Sequence, residues 1–233
     1  MKLKSLAIIP ARGGSKRIPR KNINLFNGFP IIKYPIDAAL KSGCFDETIV
    51  STDDKEIAEL SKKFGAGVPF IRSGENSNDT AGLNLVVEEI LNKLVGSGRE
   101  FEHVCCLLPT AVFITPQTLR DTYDSIAASG ADALFPVVKY SYSIQRALRI
   151  ENNALKMIWP ENYNKRSQDL SPSYHDAGQF YWLKTSSFLE QKIFFMKNVV
   201  PVVMDELDVQ DIDTESDWKA AELKFKNRKT VSL

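Results

Sequence analysis

Five basic side chains, Arg12, Lys16, Arg17, Arg20 and Lys21, crowd ten residues around the Gly13–Gly14 pair in "IIPARGGSKRIPRKNI". Adjacent glycines let backbone N–H groups come close to an anion and adopt dihedrals that other residues resist. The positive charge exceeds what a single phosphate group needs, so the pattern suits a triphosphate. It is neither a Walker-type phosphate loop, with glycine and lysine at fixed spacing, nor a GxGxxG dinucleotide fingerprint. On composition alone, a plain basic surface loop would also account for it.

A second candidate is the acidic pair Asp211 and Asp213 in "DID". On a strand, residues two apart face the same side, so both carboxylates would converge on one point. Two hard oxygen donors, completed by phosphate oxygens, make a Mg²⁺ site. The same spacing also suits a solvated strand end. Asp205, Glu206, Asp208 and Asp217 close by are expected to be solvated charge.

These residues need elements to place them. "SLAIIP", "ETIVSTD", "VPFIRS", "EHVCCLLP" and "ADALFPVV" read as strands, and helical patterns separate most of them. In "DKEIAELSKKFG" the apolar positions Ile57, Leu60 and Phe64 recur at helical spacing, as do Leu83, Val87, Ile90 and Leu94 further on. "PIIKYPIDAALKSG" predicts a helix ending at Gly43, and "TPQTLRDTYDSIAASG" another. Alternation of this kind argues an α/β fold with an open, mainly parallel sheet, whose ligands gather at the carboxyl ends of the strands. The loop after the first strand leaves the sheet at that edge. From about Lys139 to Leu183 the rhythm breaks into hairpin-like strands and a polar loop rich in aromatics, which reads as a small inserted antiparallel lobe within one domain spanning 1–233.

Composition narrows the function classes. With 233 residues, 43% of them hydrophobic, the chain can bury a full core. Thirty Lys+Arg against 29 Asp+Glu leave no basic surplus for nucleic acid. The apolar runs are strand-sized, which predicts no membrane span and a soluble, cytoplasmic protein. Cys105 and Cys106 in "HVCCLLP" read as strand core, and the two histidines, His103 and His175, offer no zinc spacing.

"IPARGGSKRIPRKNI" resembles the N-terminal signature of the cytidylyltransferases that activate nine-carbon ulosonic acids, the family of the CMP-sialate synthetases. The resemblance continues through "STDDKEIA", "VPFIRS", "LPTA" and "DIDTESDW" and so spans essentially the whole chain. "RSQDL" followed by "YHDAGQFYW" resembles the pseudaminic acid branch. The resemblance implies a three-layer nucleotidyltransferase-type fold, CTP and an ulosonic acid as partners, Mg²⁺ as cofactor, and a homodimer joined through the inserted lobe.

It also implies roles for particular residues. Arg12 and Lys21 would grip the triphosphate, and with Asp211 and Asp213 as metal ligands they form the catalytic set. Ala11, Gly13, Gly14, Ser15, Asn22 and Arg72 would contact the nucleotide, with the Asn22 amide suited to the edge of cytosine. Asn78, Asp79 and Thr80 fall where a loop closes over the base. In the lobe, Arg166 and Gln168 would hold the sugar carboxylate and hydroxyls, a guanidinium fork being suited to a carboxylate. Gln145, Arg146, Tyr174, His175, Gln179 and Tyr181 complete the expected sugar contacts, although core packing is the commoner use of aromatics at alternate positions of "GQFYWL". Two departures stand out. Leu108 precedes "PTAV" where many sialate-activating members carry Gln, which argues for a less hydroxylated sugar, and Val112 replaces a proline. The same chemistry on sialate or legionaminate, and a non-catalytic nucleotide-binding protein on this fold, are the alternatives.

Overall fold

The computed structural model describes residues 5–74, 76 and 82–228. "SLAIIP" forms strand β1 (Ser5–Pro10), buried along its whole length. The basic loop then leads to a small hairpin of β2 (Leu25–Phe26) and β3 (Phe29–Pro30), helix α1 (Lys33–Ser42), strand β4 (Glu47–Ser51) and helix α2 (Lys55–Lys63). Helix α1 stops at Gly43, whose φ of 67° is the left-handed conformation that ends a helix cheaply only with glycine. Helix α3 (Leu83–Gly96), strand β5 (His103–Leu107), helix α4 (Pro116–Ser129) and strand β6 (Ala133–Lys139) continue the alternation. The hairpin β7 (Leu148–Glu151) and β8 (Ala154–Met157) follows, then β9 (Tyr174–Asp176), β10 (Phe180–Lys184), α5 (Thr185–Gln191), β11 (Val199–Met204) and α6 (Glu215–Asn227).

The central sheet has the order β11-β6-β10-β5-β1-β4, with β9 also pairing to β6. Strands β4, β1 and β5 run parallel, as do β6 and β11. β10 runs antiparallel between β5 and β6. Alternate side chains supply two apolar layers. Ala7, Ile9, Cys105, Phe180 and Trp182 pack on one face with Ile36, Ile57 and Leu119 from the helices. Leu6, Ile8, Cys106, Tyr181 and Leu183 pack on the other with Val87 and Ile90 of α3. The adjacent cysteines therefore sit in opposite layers, and burial raises both thiol pKa values.

Two expectations are corrected. "VPFIRS" is not a strand. The chain makes a single parallel bridge from Gly67 to Ile49, after which Pro69 has no N–H to continue a ladder. It next meets that part of the chain just past the end of β4, where the Arg72 N–H donates to the Thr52 carbonyl at 2.9 Å. The inserted lobe is also smaller than residues 139–183. Within that span only the β7–β8 hairpin forms a separate antiparallel sheet, whereas β9 and β10 belong to the central one. Phe180, Trp182 and Leu183 are fully buried there because a central strand is covered on both faces.

Candidate active site

Strand order reverses at β1, since β4 lies on one side of it and β5 on the other. A crevice opens at such a point, beyond the carboxyl ends of the strands. A cleft of about 290 Å³ lies there, walled by Pro10 at the end of β1 and by Leu108, Pro109 and Thr110 after β5. Arg12, Lys16, Arg17, Lys21 and Arg72 bring five cationic side chains to it, against the carboxylates of Asp211 and Asp213. Ser15 and Asn22 complete the basic-loop side. The surplus of positive charge fits a polyphosphate.

The basic loop is held from below by acidic residues at the end of β4. Gly13 donates its N–H to Asp53 Oδ1 at 2.9 Å. Arg20 pairs with Asp54 and with Glu56, and takes a left-handed backbone with φ 56°. Asp54 also caps α2 by accepting from the Ile57 N–H, and the Arg20 hydrogen bond leads the interactions that keep its carboxyl below its ordinary value. Gly13 serves closeness rather than unusual dihedrals, which corrects the expectation, whereas a Cβ on Gly14 would meet open space. Neither glycine has a positive φ, but a Cβ on Gly13 would lie 2.7 Å from Asp54 Oδ2.

Asn22 is buried and its Nδ2 donates to the Arg12 carbonyl at 2.9 Å, so half of its amide shapes the loop. Its Oδ1 has no hydrogen-bond partner among the described residues. Ala11 is corrected: it is fully buried in the sheet's apolar layer, with its N–H given to the Ser51 carbonyl. Asn78, Asp79 and Thr80 lie outside the described residues.

The "DID" segment is irregular rather than a strand, lying between β11 and α6. Buried Ile212 still divides the two acids. Asp213 meets Arg17 at 2.9 Å and Lys21 at 3.3 Å, and Lys21 Nζ also donates to the Ile212 carbonyl at 2.7 Å. Asp217, expected to be solvated charge, instead completes a capping box with Thr214 at the start of α6 and accepts the Asp213 N–H at 3.1 Å. Asp211 has no ion pair among the described residues. The protein packed behind it and the neighbouring Asp213 raise its carboxyl above the ordinary range. A divalent cation would relieve that repulsion. No group of three or more His, Cys, Asp or Glu side chains suited to a metal occurs among the described residues. Two carboxylates leaving several positions open to phosphate and water is the donor set that Mg²⁺ takes.

The expected sugar contacts stand elsewhere. Gln145, Arg146, Arg166, Gln168, Tyr174 and His175 do not line the cleft. Arg166 pairs with Asp169 at 2.8 Å on a 3-10 turn, its side chain 72% exposed. Gln145 donates to the Ser171 carbonyl, and His175 lies against Tyr140 with ring centroids 4.9 Å apart. Gln179 and Tyr181 are corrected outright. Tyr181 is buried under the sheet with its hydroxyl donating to Asp176 at 2.7 Å. Gln179 is fully buried, and its amide spans to the Gln210 carbonyl at 3.4 Å. With Gly178, where a Cβ would stand 3.4 Å from Asp211, the β9–β10 turn underlies the acidic segment. Residues that sequence reasoning missed are Ile18, Asn76, Leu83, Val86 and Thr110, all on the cleft wall. Thr110 stood inside a quoted motif, but nothing in "GENSNDT" singles out Asn76.

Comparison with known proteins gives this cleft a lineage. The cytidylyltransferase family profile matches residues 6–216. The chain belongs to the cytidylyltransferase family. It is 42% identical over 225 residues to the pseudaminic acid cytidylyltransferase of Campylobacter jejuni serotype O:2, covering 96% of this chain and 97% of that one. It is 33% identical over 228 residues to the CMP-N,N'-diacetyllegionaminic acid synthase of Legionella pneumophila, covering 94% and 95%. Among solved structures, a CMP:2-keto-3-deoxy-manno-octonic acid synthetase complexed with CTP superposes with a TM-score of 0.69 at 14% identity, covering 97% of this chain and all of that one. That last likeness concerns the fold, and this cytidylyltransferase shares its mixed α/β architecture.

Proposed function

We propose that the protein transfers CMP from CTP to the anomeric hydroxyl of a nine-carbon ulosonic acid, pseudaminic acid being the favoured sugar. The observation that carries the reaction is the meeting, in one switch-point cleft, of the basic loop with Asp211 and Asp213. The hydroxyl oxygen attacks the α-phosphorus of CTP. A new P–O bond forms as the bond from that phosphorus to the bridging oxygen breaks, pyrophosphate leaves, and the hydroxyl proton is released. No covalent link to the protein is needed, so catalysis rests on alignment and charge neutralisation.

Arg12, Lys16 and Arg17 bind the phosphates, and Lys21, anchored on the Ile212 carbonyl, holds its charge beside the departing pyrophosphate. Asn22 Oδ1 accepts from the base. Asp211 and Asp213 would hold Mg²⁺, which when bound supplies further neutralisation of phosphate charge.

Pseudaminic acid is favoured by the Campylobacter relative and by Leu108, an apolar side chain on the cleft wall. Sugar selection is assigned to Arg166, Gln168 and His175. Because these lie away from the cleft of their own chain, we assign them to the site of a second copy in a homodimer. The exposed Leu148, Ile150 and Leu155 of the β7–β8 hairpin support such a contact. Three buried free thiols support the cytoplasm as its compartment; no helix among the described residues is long and apolar enough to cross a membrane.

The test is a panel of pseudaminic, legionaminic and sialic acids incubated with CTP, with pyrophosphate release and product mass as readouts. Turnover of pseudaminic acid well above the others is expected. Preferred turnover of another sugar would reassign the substrate, and CTP binding without pyrophosphate release from any sugar would make the chain a nucleotide-binding protein.

A further inference from the structure

Arg72 carries the most confined charge in the cleft. Its side chain is 4% exposed, and its Nε and Nη2 have no hydrogen-bond partner among the described residues. The nearest carboxylate, that of Asp53, lies 3.8 Å away. Burial pushes the guanidinium below its ordinary pKa, partly offset by Asp53 and Glu89. A buried charge with idle donors is costly unless a ligand uses it, so what holds the side chain there matters.

The answer lies on α3, one helical turn beyond the cleft. Val86 lines the cleft and Glu89 follows it by three residues, on the same helix face. The Glu89 carboxylate accepts the Ser73 N–H at 3.1 Å, the Ser73 hydroxyl at 3.0 Å and the Asn76 amide at 2.6 Å. Lys93, one further turn along, closes the group with an ion pair to Glu89 at 2.6 Å and lies 4.7 Å over the Phe70 ring. Phe70, Ser73 and Asn76 are thus each fastened to α3. Arg72 and Asn76 both project into the cleft. Glu89 itself is only 11% exposed. Burial alone would raise its pKa, but Lys93, Asn76 and the two Ser73 donors prevail and hold it at about 2.

We propose that Glu89 is a positioning residue for nucleotide binding, bracing Ser73 and Asn76 against α3 so that the Arg72 guanidinium is presented ready-made to CTP. It touches no substrate and acts through Arg72 and Asn76. The proposal rests on the nucleotide reading of the cleft given above.

The experiment is a double-mutant cycle on CTP affinity, measured calorimetrically without sugar on the full chain. The four proteins are wild type, Glu89→Gln, Arg72→Ala and the pair, with melting recorded so that titrations are run well below it. Glu89→Gln keeps the size and one acceptor but removes the charge and cannot serve every donor. It should weaken CTP binding about tenfold, the loss typical of removing a group that orients a ligand-binding side chain. In the Arg72→Ala background the same substitution should add less than about threefold, because Asn76 alone is then left for it to position. Steady-state kinetics should show the loss in the CTP KM, with the sugar KM unchanged.

Equal losses from Glu89→Gln in both backgrounds, unchanged CTP affinity in Glu89→Gln, or a lowered melting temperature as the sole effect would each overturn the proposal. Wild-type protein that bound no CTP would overturn the nucleotide reading itself, a different outcome from CTP binding that ignored Glu89.

Discussion

The loop around Gly13 and the hairpin around Asn152 are both polar excursions from the same sheet, yet they are held very differently. The first is fixed from several directions: Asp53 on the Gly13 N–H, Asp54 and Glu56 on Arg20, and Lys21 on the carboxyl-proximal segment 191 residues away. The second leans on local contacts, such as Arg149 and Lys156 with Glu151, and shows Leu148, Ile150 and Leu155 to solvent. A site that must meet growing charge in a set geometry is built on long-range, cross-braced contacts. A surface that discriminates among substrates can be carried on an appendage and completed by another molecule. Under the proposed function, the braced loop would carry the chemistry and the sugar would be selected outside the cleft.

The comparison breaks most sharply at the acids. Asp211→Asn and Asp213→Asn are each expected to cut turnover by about 100-fold or more, as loss of a metal-ligand charge at the reacting phosphates should, with melting close to wild type. Near-normal rates in both at saturating magnesium would remove the metal assignment. Next is Lys21→Ala, expected to lower kcat/KM by about 100-fold with much of the loss in kcat, because its charge counts for more on departing pyrophosphate than on bound CTP. An effect confined to the CTP KM would make Lys21 a uniform binder.

On the other side of the comparison, Arg166→Ala should raise the KM of the ulosonic acid about tenfold, or about 1.4 kcal/mol, within the range that leaving a carboxylate unpaired costs. CTP titrated in the absence of sugar should bind as before. Equal losses for both ligands would mean that the segment carrying Arg166 serves the nucleotide as well, and the division into two regions would fall. The smallest effect belongs to the cap of α6. Thr214→Ala should cost about 1 kcal/mol, seen as a fall in melting temperature of about 2–4 °C for a chain of this size. A larger drop in turnover than in stability would show that the capping box also sets Asp213.

What could be read from residue order was what local pattern encodes. Apolar runs and helical spacing located β1, β4, β5, β6 and helices α1 to α4, and Gly43 marked the end of α1. The basic loop and "DID" could be paired as partners from their chemistry, though not from any pattern connecting residues so far apart. Three features were hidden for physical reasons. Pro69 silently removes the ladder from "VPFIRS", turning an apparent strand into the loop that delivers Arg72. Tyr181 and Gln179 look like site residues because a hydroxyl and an amide are useful anywhere, and only the pairing of β10 with β5 and β6 shows them to be interior. Asn76 owes its place to hydrogen bonds with Glu89, a contact between a loop and a helix that leaves no trace in periodicity.

The position of β10 has a kinetic consequence. It fills the gap between β5 and β6, so the sheet cannot be completed until residue 184 has joined strands laid down far earlier in the chain. Until then β5 and β6 each present an unpaired edge rich in apolar side chains, the kind of edge that pairs with other molecules. Long-range closure of this sort is slow, and a chain emerging from the ribosome would carry those edges through a substantial part of its synthesis. Truncations ending before Phe180 should therefore aggregate rather than yield a smaller folded protein, whereas removing only the β7–β8 hairpin should leave a sheet that can still close.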